Sequence, residues 1–270
     1  MMKKLKMALI YDFDKTLSPR DMQEFHLLGT LGYHDPADFW ADCAKYSQRY
    51  NIDGILSYMM LLAKEDPHMT RDQLREEGKY VKLYPGVKDW FSRINTYGEE
   101  TGVEIEHYII SSGIKDIIEG TPIANEFRRI YACSYYYDEL GHAKWPARVV
   151  NYTTKTQYLF RINKGVLDET NDVDLNRSTP EDNKYIPYEH MIYFGDGLTD
   201  VPSMKVVRQF GGHTIAVFAD PENDHAHELH ERNTASFVAK ADYRSGGRID
   251  KIVKTMIDAV AIDRKLEEFR

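Results

Sequence analysis

The chain has 270 residues, 42% of them hydrophobic and 29% charged, with a formal net charge of −8 at pH 7. This length suits one large domain with a smaller inserted or appended unit, and the ordinary composition excludes disordered, collagen-like and coiled-coil classes. The acidic balance and the lack of a dense Lys/Arg run argue against a nucleic-acid partner, so any anion site must be local.

Lysines at 3, 4 and 6 open the chain, but the apolar run behind them stops at Asp12, too short for the core of a signal peptide. No stretch approaches the roughly 20 apolar residues of a membrane span. The chain is read as soluble and cytoplasmic, with no membrane partner. Residues 5–11 read as a buried parallel strand that ends abruptly at Asp12-Phe13-Asp14. Ligands of open α/β sheets bind at that carboxyl end.

Residues 20–83 show helix-like apolar spacing at Phe25, Leu27, Leu28 and Leu31 and again from Ile52 to Met60, with Thr70 as an N-cap before Leu74. They read as a small, mostly helical unit. Pro85-Gly86 punctuates, and a helix over 87–97 follows. A second strand, 103–110, runs into Ser111-Ser112-Gly113, with a helix over 114–119. Residues 130–137 suit a strand, 138–141 a turn, and 148–152 a return strand. Thr153-Thr154-Lys155 opens a helix through Ile162, and 168–187 reads as a polar surface loop. A third apolar run, 191–194, ends at Gly195-Asp196-Gly197-Leu198-Thr199-Asp200. Strands at 214–218 and 237–239 and a closing helix over 249–267 complete the pattern. Strands alternating with helices imply an α/β fold: a Rossmann-like parallel-sheet core with helices on both faces. The boundaries expected are a core of 1–18 and 84–270 and a helical cap of 19–83.

Polar clusters fall where such a fold builds a site. Asp12 and Asp14, two apart on an extended strand end, point the same way. Carboxylates held together need a cation or a shared proton, so Asp12 suits a metal ligand and nucleophile, and Asp14 an acid and then a base. Asp196 and Asp200 add hard oxygen ligands that suit Mg²⁺. Ser111, Ser112 and Gly113 offer a hydroxyl and backbone N–H groups to an anion. Lys155, at a helix start, offers a cation for phosphoryl charge. Taken singly, each is an ordinary turn, cap or solvated lysine; the joint order carries the signal. Arg20, Asp21, Glu24 and Arg49 are candidates for reading a substrate, Asp21 first because it follows the catalytic loop closely. His225, His227 and His230, with Asp224 and Glu228, read as an exposed polar helix face. Tyr135-Tyr136-Tyr137 reads as strand packing and Met59-Met60-Leu61-Leu62 as core of the inserted unit. Cys43 and Cys133 give neither a disulfide framework nor a zinc spacing.

With these residues in place, the sequence resembles the phosphatases of the haloacid dehalogenase superfamily. Asp12-Phe13-Asp14-Lys15-Thr16-Leu17 resembles their first motif, Ile109-Ile110-Ser111-Ser112-Gly113 the second, Lys155 the third, and Gly195 to Asp200 the fourth. The likeness spans residues 7 to 220. The insertion over 19–83 resembles the helical cap of phosphoserine-phosphatase-like members, and Leu83 to Val87 their re-entry into the core. The resemblance implies an Mg²⁺-dependent hydrolase of a small phosphorylated metabolite. Asp12 would attack phosphorus and bind the metal. Asp14 would protonate the leaving oxygen, activate water and lend its backbone carbonyl to Mg²⁺. Ser111 and Lys155 would hold phosphoryl oxygens, Asp196 and Asp200 would serve the metal, and Thr16 would orient Asp14. Lys15 stands where many members have a small residue. Lys144 and Lys164 are the alternatives to Lys155. A phosphotransferase or phosphomutase with the same intermediate, and a non-catalytic phospho-ligand binder, are the competing readings.

Overall fold

The structure is a computed structural model that describes residues 5–178, 180, 183–219, 226–231, 234–267 and 269. Seven strands form one sheet: β1 (Leu5–Tyr11), β2 (Val103–Ile114), β3 (Arg129–Tyr137), β4 (Ala143–Arg148), β5 (Met191–Gly195), β6 (His213–Phe218) and β7 (Phe237–Lys240). Their order is β4-β3-β2-β1-β5-β6-β7, parallel throughout except for the antiparallel β3–β4 pair.

The sheet is central because its strands are apolar on both faces. β1 is buried without a break from Met7 to Tyr11 and pairs with β2 on one edge and β5 on the other. The helices are α1 (Leu27–Thr30), α2 (Pro36–Tyr50), α3 (Gly54–Glu65), α4 (Arg71–Glu77), α5 (Val87–Thr101), α6 (Lys115–Glu119), α7 (Lys155–Lys164), α8 (Asp172–Asn176), α9 (Val201–Gln209), α10 (Ala226–Glu231) and α11 (Arg248–Glu267). α5 and α11 pack on each other and on β2, while α7 and α9 pack on each other and on β5, β6 and β2, so both faces are covered. Among the described residues no helix is long and apolar enough to cross a membrane.

Between β1 and α5 the chain builds α1 to α4 and no strand. Local chemistry starts these helices. Asp35 caps α2, with Pro36 at the first helical position. Asp53 caps α3 by accepting from the N–H groups of Ile55 and Leu56. Thr70 and Gln73 form a reciprocal capping box on α4, as the sequence suggests. The entry and exit of this segment are tied together: Tyr84 N–H donates to the Leu17 carbonyl at 2.9 Å. The segment also docks on the sheet. The Tyr58 hydroxyl donates to the Ser112 carbonyl at 2.6 Å, and the Tyr135 hydroxyl to the Met59 carbonyl at 2.7 Å.

Three sequence expectations shift. The return strand lies at Ala143–Arg148, not 148–152: Pro146 occupies an edge strand, where a missing N–H is tolerated, and the Val150 N–H turns instead to Cys133 Sγ. β2 runs on to Ile114, with a register shift between Ile110 and Ile114, so Ser111-Ser112-Gly113 form an irregularity within the strand rather than a turn after it. The polar stretch 168–187 contains α8, capped by the Asn171 side chain. Asp224 and His225 lie outside the described residues; the segment after them is α10.

Candidate active site

The site forms where the carboxyl ends of β1, β2 and β5 meet. Asp12 follows β1 directly, its N–H bonded to the Phe194 carbonyl at 2.9 Å. The Phe13 N–H donates to Asp12 Oδ1 at 2.7 Å. The chain then turns sharply, with Leu17 N–H bonded back to the Phe13 carbonyl. Lys15 holds a left-handed φ of 57° in this turn, a conformation that disfavours a side chain, and its ammonium pairs with Asp21 at 2.7 Å. Asp14 Oδ1 accepts the Met22 N–H at 2.8 Å. Burial first, then the neighbouring Asp21 and Asp12, holds the Asp14 carboxyl well above the usual carboxylate range.

At the end of β5, Asp196 and Asp200 face Asp12. Carboxylate oxygens of Asp12, Asp196 and Asp200 all lie within 4.8 Å of one another. Gly195 makes this possible: a Cβ there would meet Asp200 Oδ2 at 2.4 Å. Lys155, fully buried at the start of α7, joins the acids by salt bridges of 2.8 Å to both Asp12 Oδ2 and Asp200 Oδ1. Asp200 Oδ1 also accepts the Tyr193 hydroxyl at 2.7 Å. Burial works against the Lys155 ammonium, but Asp12 and Asp200 outweigh it and hold its pKa above the usual lysine range.

This arrangement is short of positive charge. Three carboxylates face one ammonium, and burial followed by repulsion from Asp200 and Asp12 pushes the Asp196 carboxyl well up. Asp200 Oδ2 is buried with no hydrogen-bond partner among the described residues. An all-oxygen donor set with an orphaned buried oxygen and surplus negative charge fits a hard divalent cation. The Asp14 side chain is not part of that oxygen cluster.

Beside the acids, Ser111 is buried, and its Oγ accepts the Gly113 N–H at 3.1 Å. That N–H is therefore spent inside the protein. Gly113 is needed for closeness: a Cβ would lie 2.1 Å from Met22 Cε and 3.0 Å from Asp14 Oδ2. Ser112 Oγ is buried without a partner, and its carbonyl receives Tyr58. Asp12, Asp14, Ser111, Ser112, Asp196 and Asp21 line one cavity of about 610 Å³. A second cavity of about 530 Å³, beside β6 and β7, contains none of these residues.

The remaining candidates separate cleanly. Lys144 reaches the Pro67 carbonyl and Asp138, and Lys164 the carbonyls of Leu175 and Arg177, so Lys155 is the lysine among the acids. Arg20 stacks on Phe25 and Arg49 on Tyr50; neither lines the cavity, whereas Asp21 and Glu24 do. The Thr16 hydroxyl has no hydrogen-bond partner among the described residues, so the expected bond to Asp14 is absent. Sequence reasoning missed Gln23, Trp40 and Tyr58, which close the cavity from the inserted helices. The apolar spacing at Phe25 to Leu31 and Ile52 to Met60 marks helices in this segment, but which side chains meet the site depends on how those helices dock.

These features define an α/β protein with an acidic site at the carboxyl edge of a parallel sheet. No family model matches the chain. Over 273 residues it is 27% identical to an uncharacterized protein of Borreliella burgdorferi (strain ATCC 35210 / DSM 4680 / CIP 102532 / B31), covering 90% of this chain and 93% of that one. Its structure superposes on a HAD family hydrolase of Salmonella enterica serovar Typhi with a TM-score of 0.61 at 14% identity, over 92% of this chain and 70% of that one. A substrate-bound phosphoserine phosphatase gives 0.60 at 13% identity, over 94% and 99%. A phosphoserine phosphohydrolase-like protein from Francisella tularensis gives 0.53 at 19% identity, over 86% and 94%. At such identities the likeness is one of fold. The chain has the haloacid dehalogenase fold in its phosphoserine-phosphatase-like form.

Proposed function

We propose that this protein is a magnesium-dependent phosphohydrolase that removes phosphate from a small phosphorylated metabolite through an aspartyl-phosphate on Asp12. The observation that carries the reading is the buried Lys155 bridging Asp12 and Asp200, with Asp12 and Asp196 lining a cavity that also holds Asp14. A structural ion pair would leave no reason to gather surplus acids around an open space.

Asp12, Asp196 and Asp200 would hold the magnesium ion. Bound there, the ion supplies charge neutralisation for the phosphoryl oxygens. The protein's own residues do the rest. Lys155 and Ser111 hold the phosphoryl group, and the 2.8 Å pair with Lys155 fixes the position of the Asp12 carboxylate. An Asp12 oxygen attacks phosphorus; the bond from phosphorus to the ester oxygen breaks, and the leaving oxygen takes the proton of Asp14. The raised Asp14 pKa suits this acid role. Water then attacks the aspartyl-phosphate, giving its proton to Asp14, and the bond from Asp12 to phosphorus breaks to release phosphate. The protons balance over the cycle.

Residues 19–83 act in this reading as a cap over a core of 1–18 and 84–270, since Trp40, Ile55 and Tyr58 line the cavity with Asp12. The cap excludes water other than the attacking molecule. Cys43 and Cys133 are both free and buried, in keeping with a cytoplasmic location. Hydrolysis of a generic aryl phosphate tests the reading. Turnover should require Mg²⁺ and should be lost in Asp12→Asn; full activity in that variant would refute the mechanism.

A further inference from the structure

We propose that Tyr193 is a positioning residue for the metal site: its hydroxyl occupies one Asp200 oxygen and so reserves the other for the cation. The proposal rests on the metal site of the hydrolase reading and adds a residue that the sequence motifs do not mark.

Tyr193 sits in the middle of β5, and every residue of that strand is buried. Its neighbours Met191, Ile192 and Phe194 are apolar, so it carries the one hydroxyl of the strand. That hydroxyl donates to Asp200 Oδ1 at 2.7 Å, and both side chains are fully buried. Lys155 Nζ donates to the same oxygen at 2.8 Å. A carboxylate oxygen offers about two lone-pair positions, so these two donors fill Oδ1. Oδ2 is buried with no hydrogen-bond partner among the described residues. The free acceptor capacity of Asp200 therefore lies on Oδ2, the oxygen beside Gly195.

A buried tyrosine needs an acceptor somewhere, and a core tyrosine satisfied by a nearby carboxylate is the plain alternative. The demands on Lys155 argue for more. Its one ammonium is shared between Asp12 Oδ2 and Asp200 Oδ1. In the hydrolase reading it also holds the phosphoryl group. A donor with three calls on it does not by itself keep the Asp200 carboxylate in one orientation. Tyr193 carries no such load, and its backbone is fixed on both edges of β5, with Ile10 and Thr214 as register partners. It keeps hold of Oδ1 while Lys155 engages phosphate, so Oδ2 stays aimed at the cation. Outer partners of this kind orient ligating carboxylates, and losing one costs about 10–100-fold in metal affinity.

Calorimetric titration of the full chain with Mg²⁺ alone tests this. Tyr193→Phe keeps the ring and removes the hydroxyl. Its Mg²⁺ dissociation constant should exceed that of the wild type by about 10–100-fold. With an aryl phosphate, the Mg²⁺ concentration for half-maximal turnover should rise in step, while kcat at saturating Mg²⁺ stays near the wild-type value. A merely structural tyrosine would lower stability without moving the Mg²⁺ constant, and an unchanged constant overturns the proposal. Proton NMR of the wild-type chain supplies a measurement that needs no variant, should Tyr193→Phe misfold. The Tyr193 hydroxyl proton should exchange slowly and persist when Mg²⁺ is added; its loss on addition overturns the proposal, because the bond to Asp200 would then not survive metal binding. The two readings fail separately. A wild-type chain that binds Mg²⁺ more tightly than Tyr193→Phe but hydrolyses no phosphate ester sinks the hydrolase reading and leaves the positioning role. A wild-type hydrolase whose Mg²⁺ affinity Tyr193→Phe matches removes the positioning role alone.

Discussion

Lys155 concentrates the residue-scale argument, because its ammonium is fully buried and bonded at 2.8 Å to two carboxylates. Removing one member of such a group leaves uncompensated charge. Lys155→Met should abolish turnover and cost about 3–5 kcal/mol in chemical denaturation. A loss under 1 kcal/mol would mean the acids had simply taken up protons. Asp14 makes a different test. As the acid, it matters most when the leaving oxygen is a poor one. Asp14→Asn should slow an alkyl phosphate by about 10²–10⁴-fold and a nitrophenyl ester much less; equal losses on both would remove Asp14 from the proton path. The raised carboxyls of Asp14 and Asp196 also set a pH dependence. Their folded pKa lies above the unfolded value of 3.8, so the folded state binds protons more tightly. Stability without metal should fall as pH rises from that value through the folded pKa values. Mg²⁺, which favours the ionised form, should raise Tm more at pH 8 than at pH 5, as a thermal melt at both values would show.

The elements explain what was legible beforehand and what was not. Apolar runs that stop at a carboxylate announce a buried strand opening into a site, and this located Asp12, Asp14 and Asp196 from local sequence. Capping chemistry is equally local, and the Thr70–Gln73 box follows from four residues. The sequence places the return strand β4 several residues too late because Pro146 and the exposed Trp145 obscure its alternation, and only the pairing with β3 sets its bounds. The walls of the cavity are less local still. Trp40 lies on α2 and Tyr58 on α3, and their apposition depends on the docking of these helices through the Tyr58–Ser112 and Tyr135–Met59 bonds. The Asp53 cap starts the helix that carries Ile55 and Tyr58. Asp53→Ala should cost about 1–2 kcal/mol in denaturation. A neutral result would show that tertiary packing alone holds α3.

At the scale of the molecule, a rigid sheet supplies the acids and a helical insertion supplies the other side of the cavity. The two crossings between them are bound to each other by the Tyr84–Leu17 hydrogen bond, next to Gly86 with its left-handed φ of 81°. Opening of the insertion about residues 18–20 and 83–86 would admit substrate. Hydrogen exchange over α2 and α3 should slow when Mg²⁺ and a phosphate mimic are added; unchanged exchange would argue against a moving cap. The central claim, a covalent phosphoryl group on Asp12, is tested most directly by quenching the enzyme in acid during turnover of a radiolabelled phosphate ester and mapping the labelled peptide. Label should appear on the Asp12 peptide, and hydroxylamine should remove it. Turnover without protein-bound label, or label on another residue, would contradict it.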